Sequence, residues 1–171
     1  MGGYLAAHLA ASAPERVASL WLLAPAGVVT AAPSETFAAL ERGENPLIAT
    51  DLAAFERLGS LCFTRMPYAP ARFMLPLVAR ARREAPFNRK IFDETFASIV
   101  GLEEIIPRCT MRTLLVWGDD DRILHRSGFE KLRPLLVAGE GILIPRMGHA
   151  PMLERPADTA ADFLRFQGRA A

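Results

Sequence analysis

Apolar residues fall into a few dense runs along this chain, and the punctuation around each run differs. Residues 3–12, GYLAAHLAAS, are rich in Ala and Leu and lead into Ala13-Pro14, which predicts a short helix ending before the proline. Residues 17–25, VASLWLLAP, make a mostly apolar run closed by Pro25 and Gly27, the pattern of a strand buried on both faces. TLLVWG at 113–118 and GILIPRMG at 141–148 look alike. A loop and a helical segment follow each of these two, FEKLRPLLV at 129–137 and TAADFLRF at 159–166. Strand, loop and helix in alternation predict an α/β fold of about three parallel strands with crossover helices.

Roughly ninety residues separate the first predicted strand from the second, far more than such a connection needs, so they must form structure of their own. FAALERG, DLAAFERLGSLCF, PARFMLPLVARARREA and NRKIFDETFASIVGLEEII read as short amphipathic helices punctuated by Pro46, Pro67, Pro70, Pro76 and Pro86. The expected organisation is a core segment at 1–28, a helical cap or lid at 29–110 and a second core segment at 111–171. Phe55, Leu58, Phe63, Phe73, Met74, Leu77 and Phe96 mark the apolar faces of the insertion, which either line a pocket or pack the insertion's own core. Arg80, Arg82 and Arg83 read as a solvated helix face.

Composition narrows the class. The chain has 171 residues, 51% hydrophobic and 23% charged, enough for one domain with a buried core. With 20 basic against 19 acidic residues there is no basic excess for counterion release, so nucleic acid is not an expected partner. Cys62 and Cys109 show no ligand spacing and suggest neither a disulfide framework nor a metal site. The N-terminal residues lack a basic region and a cleavage pattern, and no apolar run approaches the ~20 residues of a transmembrane segment. The expectation for this chain is a cytoplasmic protein.

Candidate chemistry sits just past two of the strands. Trp117-Gly118-Asp119-Asp120-Asp121-Arg122-Ile123-Leu124 follows the second, and Gly148-His149-Ala150-Pro151-Met152-Leu153-Glu154-Arg155-Pro156 follows the third. The stretch between Asp121 and His149 leaves room for one crossover helix and one strand, so both side chains can emerge on one rim of the sheet. Taken singly, an Asp-rich loop can be a turn or a cap, and a histidine after glycine can be a loop residue. In the order acid then histidine, each past a strand, they point to a catalytic pair. Met1-Gly2-Gly3-Tyr4, opening into a small-residue helix, resembles the second half of a Gly-x-Ser-x-Gly nucleophile elbow.

These three blocks together resemble the α/β-hydrolase superfamily, in particular its esterase and monoacylglycerol-lipase-like members. The resemblance implies the C-terminal half of an α/β-hydrolase fold, with Asp121 as triad acid and His149 as general base. Asp119 and Asp120 remain the alternatives for the acid. It also implies that the backbone amide of Met1 contributes to the oxyanion hole and that Gly2 closes the elbow. The expected substrate is a small ester or lipid-like molecule, and the chemistry calls for no cofactor and no metal. The nucleophile, an earlier oxyanion loop and about five strands of the superfamily pattern are not in the chain. Ser12, Ser19, Ser34, Ser60, Ser98 and Ser127 do not stand in an elbow motif. The expectation is therefore a truncated hydrolase that starts just after its serine, is inactive alone and associates through an exposed sheet edge at strand 17–24.

Three other readings accompany this one. Carbon–carbon bond hydrolases of aromatic breakdown share Met-Gly-Gly, but many follow the histidine with tryptophan where Ala150 stands here. Haloalkane dehalogenases and epoxide hydrolases use an aspartate nucleophile commonly followed by a bulky aromatic or histidine, which Met1 fits less well. A non-catalytic remnant, or a module completed by a partner, is the non-enzymatic alternative. Trp117, Pro25 and Leu153 read as core or loop-shaping residues, and His8 and His125 as packing or surface residues.

Overall fold

Eleven residues rich in alanine open the chain as helix α1 (Gly2–Ser12), and a 3-10 turn at Pro14–Arg16 leads to strand β1 (Ser19–Leu23) in a computed structural model that describes residues 1–97 and 100–168. Helices α2 (Glu35–Glu41), α3 (Leu52–Cys62), α4 (Ala71–Ala97) and α5 (Leu102–Ile105) come next. Strand β2 (Arg112–Gly118), helix α6 (Ser127–Leu132), strand β3 (Gly139–Ile144) and helices α7 (Pro151–Glu154) and α8 (Pro156–Gly168) complete the order.

The three strands form one parallel sheet in the order β1-β2-β3, with Ser19 opposite Arg112 and Thr113 opposite Gly139 at the starts of the two ladders. Only β2 is buried on both faces. It has a strand on each side, whereas β1 alternates buried and half-buried positions and β3 is half-buried along most of its length. The third strand also lies earlier than the apolar run suggests. It ends at Ile144 because Pro145 has no N–H for the ladder, and Arg146 then takes a left-handed conformation, φ 52°, in the turn that follows.

Helices cover both faces of the sheet. On one, the small residues Ala7 and Ala10 let α1 pack close to Leu22 of β1, in a core continued by Leu102, Ile106, Leu115, Trp117, Phe129 and Leu132. On the other, Phe166 of α8 packs with Leu114 and Val116, and Phe163 lies 4.7 Å from Trp21 between ring centroids. The last part of the insertion thus reaches the core, since Leu102, Ile105 and Ile106 pack beside α1.

Within the insertion, Ser34 caps α2 by accepting the Phe37 amide and Asp51 caps α3 by accepting the Ala54 amide. The short helices expected beyond Pro70 are instead a single helix, α4, of 27 residues with Pro76 and Pro86 inside it. Each proline removes one N–H from the helical ladder, but both are exposed, so water can satisfy the carbonyls of Arg72 and Arg82 that lose their donor. Residues 98 and 99 of the helix expected over 88–106 lie outside the described residues, and α5 begins anew at Leu102. The helix expected over 129–137 is α6 followed by a 3-10 turn at Arg133–Leu135, where Pro134 interrupts the donor series. Among the described residues no helix is long and apolar enough to cross a membrane.

Candidate active site

The chain leaves β2 at Gly118, beside the loop that follows β3. A Cβ on Gly118 would lie 2.2 Å from the Met147 carbonyl oxygen and 2.4 Å from that of Gly148, so only glycine permits this approach. The amide of Asp119 donates to the Ile144 carbonyl and that of Asp120 to the Met147 carbonyl, which zips the two loops together.

Three consecutive aspartates then take three different tasks. Asp119 accepts the Arg146 amide at 2.6 Å and so pins the left-handed turn. Asp120 accepts the Thr64 hydroxyl at 2.9 Å. Asp121 alone turns inward, with its side chain wholly buried: Oδ1 accepts the amides of Ile123 and Leu124 at 2.8 and 2.9 Å, and Oδ2 lies 2.8 Å from His149 Nδ1. With both oxygens engaged, the carboxylate cannot rotate away from the imidazole. Because an ionised carboxylate only accepts, Nδ1 carries the proton of the neutral ring and Nε2 is left with a lone pair.

The histidine loop is held from the other side by the end of α3. The His149 amide donates to the Cys62 carbonyl at 2.8 Å, and Arg122 Nη2 donates to the Phe63 carbonyl at 3.1 Å. Glu154, at the end of α7, accepts the amides of Thr64 and Arg65 at 3.1 and 3.0 Å and that of Gly148 at 3.4 Å. The Cys62 thiol is pushed up to about 11, first by burial and then by the negative charge of Asp121.

His149 forms part of the wall of a cavity of about 390 Å³. Met1 before α1, Tyr4 of α1, Phe37 and Leu47 from around α2, and Phe92 and Phe96 of α4 supply its larger apolar groups beside the loop after β1, with Thr36, Thr95 and Cys62 among its few polar side chains. Phe92 stacks on Phe96 at 4.2 Å between centroids, and Phe37 approaches Phe96 at 5.7 Å. The cavity is therefore predominantly aromatic and aliphatic, with one imidazole at its edge, an arrangement suited to an apolar chain whose polar group reaches the histidine.

Asp121 and His149 are thus brought together, and Met1 lines the same cavity. Asp119 and Asp120 point to other partners. His8 packs against Tyr4 at 4.4 Å between ring centroids, and His125 contacts Ser127 Oγ at 2.9 Å within its own turn. Of the insertion's apolar residues named from sequence, Phe96 lines the cavity, with part of its ring still open to solvent, while Phe73 and Leu77 are exposed and lie off this wall. Phe37, Leu47 and Phe92 lie on its wall without having been singled out in the sequence, because residues scattered over three segments carry no common period. Glu154 stands in the block after His149, but nothing in its spacing announces three amides brought by other loops.

A family model described as alpha/beta hydrolase family matches residues 1–162. Lipase 3 of Moraxella sp. (strain TA144) is 26% identical over 168 residues, an alignment covering 98% of this chain and 53% of the lipase. Monoacylglycerol lipase abhd6-B of Xenopus laevis is 31% identical over 179 residues, covering 96% and 52% of the two chains. Among solved structures, a membrane phospholipase A described as a novel bacterial virulence factor superposes with a TM-score of 0.95 at 40% identity, covering 98% of this chain and 54% of that one. The chain spans about half the length of each of these relatives.

Proposed function

From the premise that this chain belongs to the alpha/beta hydrolase family over residues 1–162, we propose that it carries the acid and histidine of a serine hydrolase acting on carboxylic esters of lipid-like molecules. The observation that carries this reading is the 2.8 Å contact between Asp121 Oδ2 and His149 Nδ1 at the wall of an apolar cavity. The lipases and the phospholipase named above support the substrate class.

The reading requires a serine joined by a peptide bond ahead of Met1. Its hydroxyl gives a proton to His149 Nε2 while the oxygen attacks the ester carbonyl, and Asp121 stabilises the imidazolium that forms. The Met1 nitrogen, then a backbone amide at the start of α1, donates to the tetrahedral oxyanion. Collapse expels the alcohol, which takes the proton back from His149, and water repeats the sequence on the acyl-enzyme to release the acid. Residues 29–110 act in this scheme as the lid over the acyl chain. The carbon–carbon bond hydrolase reading is not favoured, since Ala150 follows the histidine and the relatives of highest identity named above are a phospholipase A and a monoacylglycerol lipase.

The test is to express residues 1–171 beside a longer chain that restores a Gly-x-Ser elbow ahead of Met1. The longer chain should take one equivalent of a serine-reactive fluorophosphonate and hydrolyse short nitrophenyl esters, and the shorter should do neither. Stoichiometric labelling of the shorter chain would overturn the assignment of the nucleophile.

A further inference from the structure

The linker Cys62–Arg65, which leaves α3 toward α4, is lashed to both loops of the acid–histidine pair although none of its side chains belongs to that pair. Five hydrogen bonds do this. Cys62 O accepts the His149 amide at 2.8 Å, and Phe63 O accepts Arg122 Nη2 at 3.1 Å. The Thr64 amide and the Arg65 amide donate to Glu154 Oε2 and Oε1 at 3.1 and 3.0 Å, and Thr64 Oγ1 donates to Asp120 Oδ2 at 2.9 Å. Gly148 lets this happen, since a Cβ there would meet Cys62 O at 2.5 Å, Phe63 Cα at 2.9 Å and Thr64 N at 3.0 Å.

Glu154 is the member of this set that joins most pieces. Its Oε2 also takes the Gly148 amide at 3.4 Å, so one carboxylate bridges the lid linker to the residue directly before the histidine. It contacts only backbone donors in this bridge. Three N–H groups around two oxygens suit a carboxylate, whereas an amide side chain would set an N–H₂ group against a backbone N–H on one side.

We infer that Glu154 is a positioning residue for His149, which it holds in register with Asp121 by tying the Gly148–His149 backbone to the Cys62–Arg65 linker of the lid. This rests on the reading of His149 as general base. The bridge makes the α3 end of the linker a fixed point of the lid. Loosening it displaces the imidazole rather than the acyl cavity, whose walls come mainly from other segments.

The experiment uses the longer chain that restores a Gly-x-Ser elbow ahead of Met1, with a soluble nitrophenyl ester. Glu154→Gln should lower kcat by on the order of tenfold to a hundredfold, the scale of a small misplacement of a catalytic group, with KM changed by no more than about twofold. The low-field proton resonance of His149 Nδ1–H, identified by its loss in His149→Ala, should broaden, and Glu154→Asp should recover part of kcat. Should Glu154→Gln fail to fold, Thr64→Val removes the tie to Asp120 alone and should lower kcat by a smaller factor, again without a matching change in KM. A kcat and a low-field resonance equal to those of the parent in Glu154→Gln, or in Thr64→Val where that variant is the one that folds, would overturn the inference. If His149→Ala itself retains turnover, the reading beneath the inference falls with it, and the two failures are thereby told apart.

Discussion

A Cβ placed on Gly148 would stand 2.5 Å from the carbonyl oxygen of Cys62, the same oxygen that receives the His149 amide at 2.8 Å. The histidine loop and the linker after α3 therefore touch backbone to backbone, with no side chain between them. Gly148→Ala must push the two apart, and overpacking of this kind costs about 1–3 kcal/mol. Because the shift falls next to His149, ester turnover should drop by more than the lost stability accounts for. Urea unfolding alongside kcat for the longer chain that restores the elbow checks both. A variant with parental stability and turnover would show that the loops separate freely.

If the proposed reading holds, in the longer chain that restores the elbow Asp121→Asn should reduce ester turnover by roughly 10⁴-fold, since the asparagine amide favours the wrong tautomer, and His149→Ala by up to about 10⁶-fold, since the general base is then lost. Asp119→Asn and Asp120→Asn should leave far more activity, because their oxygens serve the Arg146 amide and the Thr64 hydroxyl. Steady-state kinetics on one short ester compares all four. A larger loss in Asp120→Asn than in Asp121→Asn would move the acid.

Substitutions on the cavity wall should alter which acyl chain is preferred. Phe92→Ala and Phe96→Ala enlarge the wall near the stacked pair and should shift the optimum toward longer or bulkier chains, whereas Phe73→Ala, an exposed position, should leave the profile unchanged. A series of nitrophenyl esters of increasing chain length measures this. Identical profiles in all three variants would mean that the acyl group lies elsewhere.

The thiol of Cys62 titrates near 11 instead of its ordinary value near 9, because burial and then the Asp121 charge disfavour the thiolate. At neutral pH it should react slowly with iodoacetamide in the folded protein, since the thiolate is the reactive form. The sign of the linkage follows. Between about pH 9 and 11 the unfolded chain releases this proton and the folded chain keeps it, so stability falls as pH rises through that window. The contribution is fully present below pH 9. Cys62→Ala should flatten this part of the stability profile, as measured by unfolding at several pH values, and an unaltered slope would count against the shift.

Sequence alone determined the elements whose cause is local. The apolar run at 113–118 is legible as a buried strand because every residue from Thr113 to Gly118 is buried, and the alanine-rich start is legible as a helix because its residues favour one. That Asp121 and His149 could meet was legible because each lies in the loop after a strand, and a parallel sheet sends such loops to one rim. Tertiary structure decided what depends on partners distant in the chain. Which of three adjacent aspartates faces the histidine was settled by where the Arg146 amide, the Thr64 hydroxyl and the His149 ring lie, and consecutive residues of one type carry no signal of that kind. The persistence of α4 through Pro76 and Pro86 depended on which face of the helix met water, and the cavity wall depended on packing among segments that share no periodicity. Local preference acts within a few residues, whereas the bridge from Glu154 to Thr64 spans ninety, and only the folded chain brings its two ends together.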